Sequence, residues 1–267
     1  MILVNTEYIS GKELEMLSLV KGSTIQSKHL GKDIAQGFKA MVGGELVAYN
    51  EMMNDARALA TKAEGLVVTI DLASDVDWVT GAAHGSTPFI AEGSPISEVV
   101  INGNGKTLTA TGAGVGPIRA ANDGVLEFKN VNIVDKSVSY NESAWELTYL
   151  EFAGALRFEG CTFNSGIQLQ AEEGGSLLAA FEGCHFISNE ASVYAAWVSD
   201  GIVEFNECTF KGTRGLKIHE DYGSEVVAVV VDGCEFGPMS KKPGIAFGTL
   251  NAETTVVVEN SLFIDCQ

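Results

Sequence analysis

Cysteine has the widest chemistry of any residue in this chain, because a thiolate can act as nucleophile, metal ligand or half of a disulfide. Five cysteines occur among the 267 residues. Four fall in one recurring hexapeptide: Phe158-Glu-Gly-Cys161-Thr-Phe163, Phe181-Glu-Gly-Cys184-His-Phe186, Phe205-Asn-Glu-Cys208-Thr-Phe210 and Val231-Asp-Gly-Cys234-Glu-Phe236. Two further copies put other residues at that place, Ser261 in Val258-Glu-Asn-Ser261-Leu-Phe263 and Val131 in Phe128-Lys-Asn-Val131-Asn-Ile133. Valine can do no thiol chemistry, so the position reads as packing. The count is odd and no C-x-x-C spacing occurs, which argues against a metal centre or a disulfide framework. Cys161, Cys184, Cys208 and Cys234 are therefore expected to form a reduced, buried structural ladder, with no metal and no cofactor.

A second set of residues carries chemistry of another kind. Aligning the strands below leaves Glu151, Gln168, Trp197 and Lys217 in one outward row, with His219 and Arg214 beside it. An exposed indole is a stacking platform for a sugar ring, and the polar groups can hydrogen-bond hydroxyls. The plain alternative has Trp197 under a loop and the charges merely solvated. Catalysis would need more: clustered Asp for Ca²⁺ with a base beside it, or two carboxyls about 5–10 Å apart for glycoside hydrolysis. Glu142, Glu146 and Glu151, with Lys217 and His219, are the candidates for such a lyase or hydrolase. No Asp cluster recurs with the repeat, so the catalytic residues stay unknown and a non-enzymatic protein is expected. Asp75-Val-Asp77-Trp78 is read as a solvated cap or turn.

The repeat itself must position these groups. Its steps are 23, 24, 26 and 27 residues from Cys161 to Ser261. Strand chemistry at a period in the twenties, without a helical pattern, indicates a solenoid of stacked coils. A turn or bulge at Glu159-Gly160 would let Phe158, Cys161 and Phe163 all point inward. A second strand aligns in each coil: Tyr149–Phe152, Gly166–Leu169, Ala195–Val198, Gly215–Ile218 and Gly244–Phe247. Its inward columns are Leu150, Ile167, Ala196, Leu216, Ile245 and Phe152, Leu169, Val198, Ile218, Phe247. The outward column is Glu151, Gln168, Trp197, Lys217, Ala246. Gly65–Leu72, Ser97–Lys106 and Lys106–Thr111 read as earlier strands. Gly112–Pro117 lacks a P-loop Lys and a following helix, so it reads as a connection rather than a phosphate loop.

From about Gly65 onward the chain resembles the right-handed parallel β-helices of the pectate-lyase-like superfamily. More narrowly, Ile101-Asn-Gly-Asn-Gly-Lys-Thr-Leu108, Ser143–Phe152 and Thr213–Glu220 are similar to β-helix domains in uncharacterised proteins of gut-associated bacteria. The resemblance implies the fold and leaves function open, because one fold hosts many functions. Such domains usually run past a position like Gln267, so the last coil is expected to be truncated or left as an open edge.

Residues 1–64 read differently. Two short strand patterns, in Glu13–Val20 and Ser23–Ser27, precede a helical stripe. Ile34, Phe38, Met41, Val42, Leu46, Tyr49, Met52, Met53, Ala56, Leu59 and Ala63 fall on one face at steps of three and four. Asp33 favours its start, and Gly43-Gly44 marks a kink or close packing. Val20-Lys-Gly-Ser-Thr-Ile25, His29-Leu-Gly-Lys-Asp-Ile34, Met41-Val-Gly-Gly-Glu45, Ala48-Tyr49 and Asn54-Asp-Ala-Arg57 together resemble the YbjQ family of heavy-metal-binding proteins. That resemblance implies a small α/β segment, assembly into homopentamers and no established enzymatic activity. It stops near Lys62, before the strands that complete the family's sheet. The segment holds no Cys and a single His, His29, which gives a metal too few ligands.

Composition bounds the partners. The net charge of -18 repels phosphate backbones, which excludes nucleic acid as a ready partner. No run approaches a membrane span. The first residues show no basic n-region or apolar h-region, so the chain reads as cytoplasmic, or as cell-surface or secreted if it is a fragment. The expected protein is mainly β: a right-handed parallel β-helix over 65–267 behind a partial α/β segment over 1–64. Polysaccharide is the expected ligand, and a homo-oligomer through residues 1–64 the expected assembly.

Overall fold

The computed structural model describes residues 66–80, 90, 95–112, 118–119, 124–135, 149–171, 177–188, 194–220, 223–241 and 243–266. The strand and helix expectations for 1–64, and the carboxylates of Glu142 and Glu146, lie outside these residues. The described chain is a parallel β-solenoid. Its strands form three sheets in which every pairing is parallel, and the coils between the first and the last give one strand to each sheet in turn.

The first sheet runs Leu66–Asp71, Ile96–Asn102, Val125–Lys129, Ala155–Glu159, Leu178–Glu182, Gly201–Asn206, Val226–Asp232 and Thr255–Glu259. The second runs Val76–Thr80, Thr107–Gly112, Asn132–Asp135, Thr162–Phe163, His185–Ile187, Thr209–Gly212, Glu235–Met239 and Leu262–Phe263. The third has six strands, from Ile118–Arg119 through Tyr149–Ala153, Gly166–Leu169, Ala196–Val198 and Leu216–Ile218 to Ile245–Phe247. Asp75-Val-Asp77 is solvent-exposed as expected, but it is not a turn: Val76 begins a strand, and Asp75 Oδ1 accepts the amide of Thr107 at 2.9 Å.

The hexapeptide is the corner between the first two sheets. Alternation alone would turn Phe158 and Cys161 to opposite faces. One residue with left-handed backbone at each corner resets the phase: Asn130, Gly160, Gly183, Glu207, Gly233 and Asn260 all have φ between 50° and 62°. Glycine and asparagine are the residues that enter this region at least cost. Phe158, Cys161 and Phe163 consequently all point into the core.

Two aromatic columns then run along the axis. Phe128, Phe158, Phe181 and Phe205 stack at 4.8–5.1 Å between centroids. Phe163, Phe186, Phe210, Phe236 and Phe263 stack at 4.6–4.9 Å. Edge-to-face contacts join the columns, as between Phe158 and Phe163 at 5.2 Å. Each such pair adds about 0.5–1.5 kcal/mol beyond area burial.

The third sheet has the register read from the sequence. Ile167 pairs Leu150 and Ala196, Ala196 pairs Leu216, and Leu216 pairs Ile245. Gln168 pairs Glu151 and Trp197, and Lys217 pairs Trp197 and Ala246. The columns lose their cover at the last coil. Phe247, expected inward, is 60% exposed while Ile218 below it is fully buried. Val258, Leu262 and Phe263 are exposed with it, because no described strand lies beyond them.

Candidate functional site

Cys161, Cys184, Cys208 and Cys234 occupy one column at the corner, all buried and all free thiols. Their work there is hydrogen bonding. The thiols of Cys161, Cys184 and Cys234 donate to the carbonyls of Phe128, Phe158 and Phe205 at 3.3–3.4 Å. The amide of Cys208 donates to the sulfur of Cys234 at 3.4 Å, and the amide of Cys234 to the hydroxyl of Ser261 at 3.1 Å. Burial, with sulfur contacts to Cys184 and Cys234, pushes the Cys208 thiol up. The contact with Cys184, then burial, does the same at Cys161. Such groups stay neutral and do not act as nucleophiles. Among the described residues no group of three or more His, Cys, Asp or Glu is placed to hold a metal ion.

The outward side of the third sheet is different. Lys217 Nζ lies 3.8 Å from the centroid of the Trp197 ring. The indole N–H donates to the carbonyl of His219 at 2.9 Å. The His219 ring is near-parallel to the indole, 6.1 Å between centroids and 23° between planes. His219 Nδ1 accepts the amide of Thr249 at 2.7 Å, which assigns the proton of the neutral ring to Nε2. Gly248 gives the imidazole its room, since a Cβ there would fall 2.2 Å from Nδ1. Trp197, Lys217 and His219 are thus held in fixed orientations and are each half-buried.

The other residues of the outward row divide. Gln168 is only 7% exposed, and its amide donates to the fully buried Ser199 hydroxyl at 3.4 Å. The Glu151 backbone pairs with Gln168, and its side chain lies outside the described residues. Arg214 stands over Tyr194, 5.4 Å from its centroid, and Nη1 donates to the tyrosine hydroxyl at 3.4 Å.

Tyr194 is a residue the sequence reading missed, and a signal for it exists. Tyr194-Ala-Ala-Trp197 lies under Arg214-Gly-Leu-Lys217, so two aromatics three residues apart on one coil meet two cations three apart on the next. Asp200 was missed as well. It follows the same strand, and burial, aided by the charge of Glu225, pushes its carboxyl up to about 6. Amides of Glu225, Gly201 and Ala171 hydrogen-bond the carboxylate and limit that rise.

Comparison with known proteins concerns the N-terminal part. A family described as "Putative heavy-metal-binding" matches residues 1–64. A UPF0145 protein of Alkaliphilus metalliredigens (strain QYMF) is 61% identical over 93 residues, 34% of this chain and 90% of that protein. A UPF0145 protein of Clostridium novyi (strain NT) is 50% identical over 100 residues, 36% of this chain and 97% of that protein. Both alignments are longer than the 64 residues of the family match, so they run on past its end. No solved structure matches the chain. No helix among the described residues is long and apolar enough to cross a membrane.

Proposed function

The chain belongs to the UPF0145 family through its N-terminal part, and from that premise we propose that it is a non-enzymatic binding or structural protein whose solenoid recognises carbohydrate on the third sheet. The right-handed, pectate-lyase-like form of the solenoid belongs to the same proposal. The observation that carries the binding reading is the Lys217 ammonium held 3.8 Å over the Trp197 ring, with His219 beside both.

Ligands favour sites whose polar groups are fixed before binding, because little ordering entropy is then lost. Backbone partners fix Trp197 and His219 in this way. One face of the indole is met by the ammonium, so the surface supports recognition through hydrogen bonds from Lys217 and the His219 Nε2–H, with the indole as an apolar wall. This differs from open stacking of a sugar on a bare tryptophan.

The test is a glycan array with the full chain, run beside assays for reducing ends and for unsaturated products. Binding that is lost in Trp197→Ala, without turnover, supports the reading. Turnover would replace it with a lyase or hydrolase. Absence of binding to every glycan leaves the structural reading, in which residues 1–64 assemble and the solenoid is displayed; light scattering of the full chain then reports the assembly.

A further inference from the structure

The last described coil carries an apolar edge. Phe247, Val258, Leu262, Phe263 and Ile264 are 60%, 39%, 56%, 45% and 38% exposed on it. Thr255–Glu259 is the outer strand of the first sheet and pairs on one side only, with Val226–Asp232. The carbonyl of Glu259 accepts the amide of Gly233 in the preceding coil at 3.2 Å. The N–H and C=O of one strand residue point the same way, and that direction alternates along the strand. Thr255, Val257 and Glu259 therefore bond backward, while Val256 and Val258 present theirs at the open edge. An edge strand with apolar side chains and open backbone groups is a template for another strand.

We infer that this edge pairs with the same edge of a second copy of the chain, antiparallel about a two-fold axis at Val257. The strand Thr255-Val-Val-Val-Glu259 reads alike under that symmetry. Val256 of one copy exchanges both backbone bonds with Val258 of the other, as in a hydrogen-bonded antiparallel pair. Valine then meets valine in the inward columns that Val229 and Val231 begin. Outward, Val257 meets itself and Thr255 meets Glu259. The axis also exchanges the two flanks of the strand, which carries Leu262 and Phe263 to the side where the partner bears its Phe247. Such an interface is isologous, so the assembly closes at two copies.

Charge separates this pairing from head-to-tail stacking on the first coil. The outward column that starts at Asp71 ends at Glu259. Continued stacking would set those two carboxylates on neighbouring strands directly opposite each other, which is destabilising. The two-fold puts the Thr255 hydroxyl there instead. Size is sufficient as well: the five exposed side chains contribute on the order of 500 Å² per copy, about 1,000 Å² for the pair, where specific interfaces begin.

Disulfide trapping tests the register, in the full chain carrying Cys266→Ser so that no partly exposed native thiol remains among the five cysteines. Val257 faces its own copy across a non-hydrogen-bonded pair, with about 4.5 Å between Cα atoms, within disulfide reach. Oxidised glutathione takes the two electrons and two protons of each thiol pair and leaves as two reduced glutathiones. Val257→Cys should give a covalent dimer on its own, at least about fivefold more than Thr255→Cys or Glu259→Cys alone. Mixing Thr255→Cys with Glu259→Cys should restore the dimer, and this arm leaves Val257 intact. Equal yields from all three single variants, no dimer from Val257→Cys, or a link from Val257→Cys to Thr69→Cys in place of itself overturns the inference; the last result would mean head-to-tail stacking.

Discussion

Lys217 Nζ stands 3.8 Å from the centroid of the Trp197 ring, one coil further along the same column. An ammonium over an indole face is attracted by the ring quadrupole, by about 0.5–2 kcal/mol depending on desolvation. Because Trp197 is half-buried, a double-mutant cycle of Lys217→Ala and Trp197→Ala should give a coupling of about 1 kcal/mol in chemical denaturation. Additive single effects would remove the pair from the account of this surface.

The corner thiols should be replaceable by hydroxyl but not by methyl. Cys234 Sγ accepts the Cys208 amide, and Ser261 already performs that task one coil later. Cys234→Ser should therefore cost under about 1 kcal/mol, whereas Cys234→Ala leaves the amide unpaired and costs about 1–2 kcal/mol. Equal destabilisation by the two would mean that volume, not hydrogen bonding, selects the residue.

Much of this was legible in the sequence because the corner repeats. Once Phe158, Cys161 and Phe163 are aligned with their copies, strand alternation fixes the third-sheet register, and Trp197 falls beside Lys217. Pair orientation was not legible. Period two says that Gln168 faces outward, but not that Ser199 lies within reach to bury it. Nor does it say that Lys217 turns onto the indole rather than into water, since a long side chain chooses its rotamer from neighbours in other coils. The outward burial of Ala228 and Val230 was hidden for a related reason: both sit in the run Val226-Val-Ala-Val-Val-Val231, where both faces are apolar and alternation carries no contrast.

Glu207 holds a left-handed corner that glycine fills at Gly160, Gly183 and Gly233. An L-residue pays roughly 1 kcal/mol for that backbone. Glu207→Gly should accordingly raise stability by up to about 1 kcal/mol, less the extra entropy of a more flexible unfolded chain. Gly183→Ala should cost a similar amount, since a Cβ there meets nothing within 4 Å. Gly212→Ala should cost clearly more, because its Cβ would fall 2.1 Å from the Ser188 carbonyl oxygen. Thermal unfolding of the three variants ranks them, and a Gly183→Ala loss as large as that of Gly212→Ala would contradict the corner geometry.

Asp200 gives the solenoid a pH dependence of definite sign. Its folded pKa, about 6, lies above the ordinary 3.8, first because of burial. A carboxyl raised in this way binds its proton more tightly in the folded state than in the unfolded chain. Its favourable contribution is complete below about pH 4 and is lost as pH rises through about 6. The side chain is only half-buried, so solvent screening reduces the effect to about 1–2 kcal/mol. Asp200→Asn keeps a carbonyl oxygen for the surrounding amides and removes the titration. The stability of the variant minus that of the parent should grow by that amount between pH 4 and pH 7.5, measured by urea unfolding at several pH values. Taking the difference cancels the other carboxylates of a chain this acidic. A difference that stays flat over the interval would show that Asp200 meets solvent freely in the folded protein.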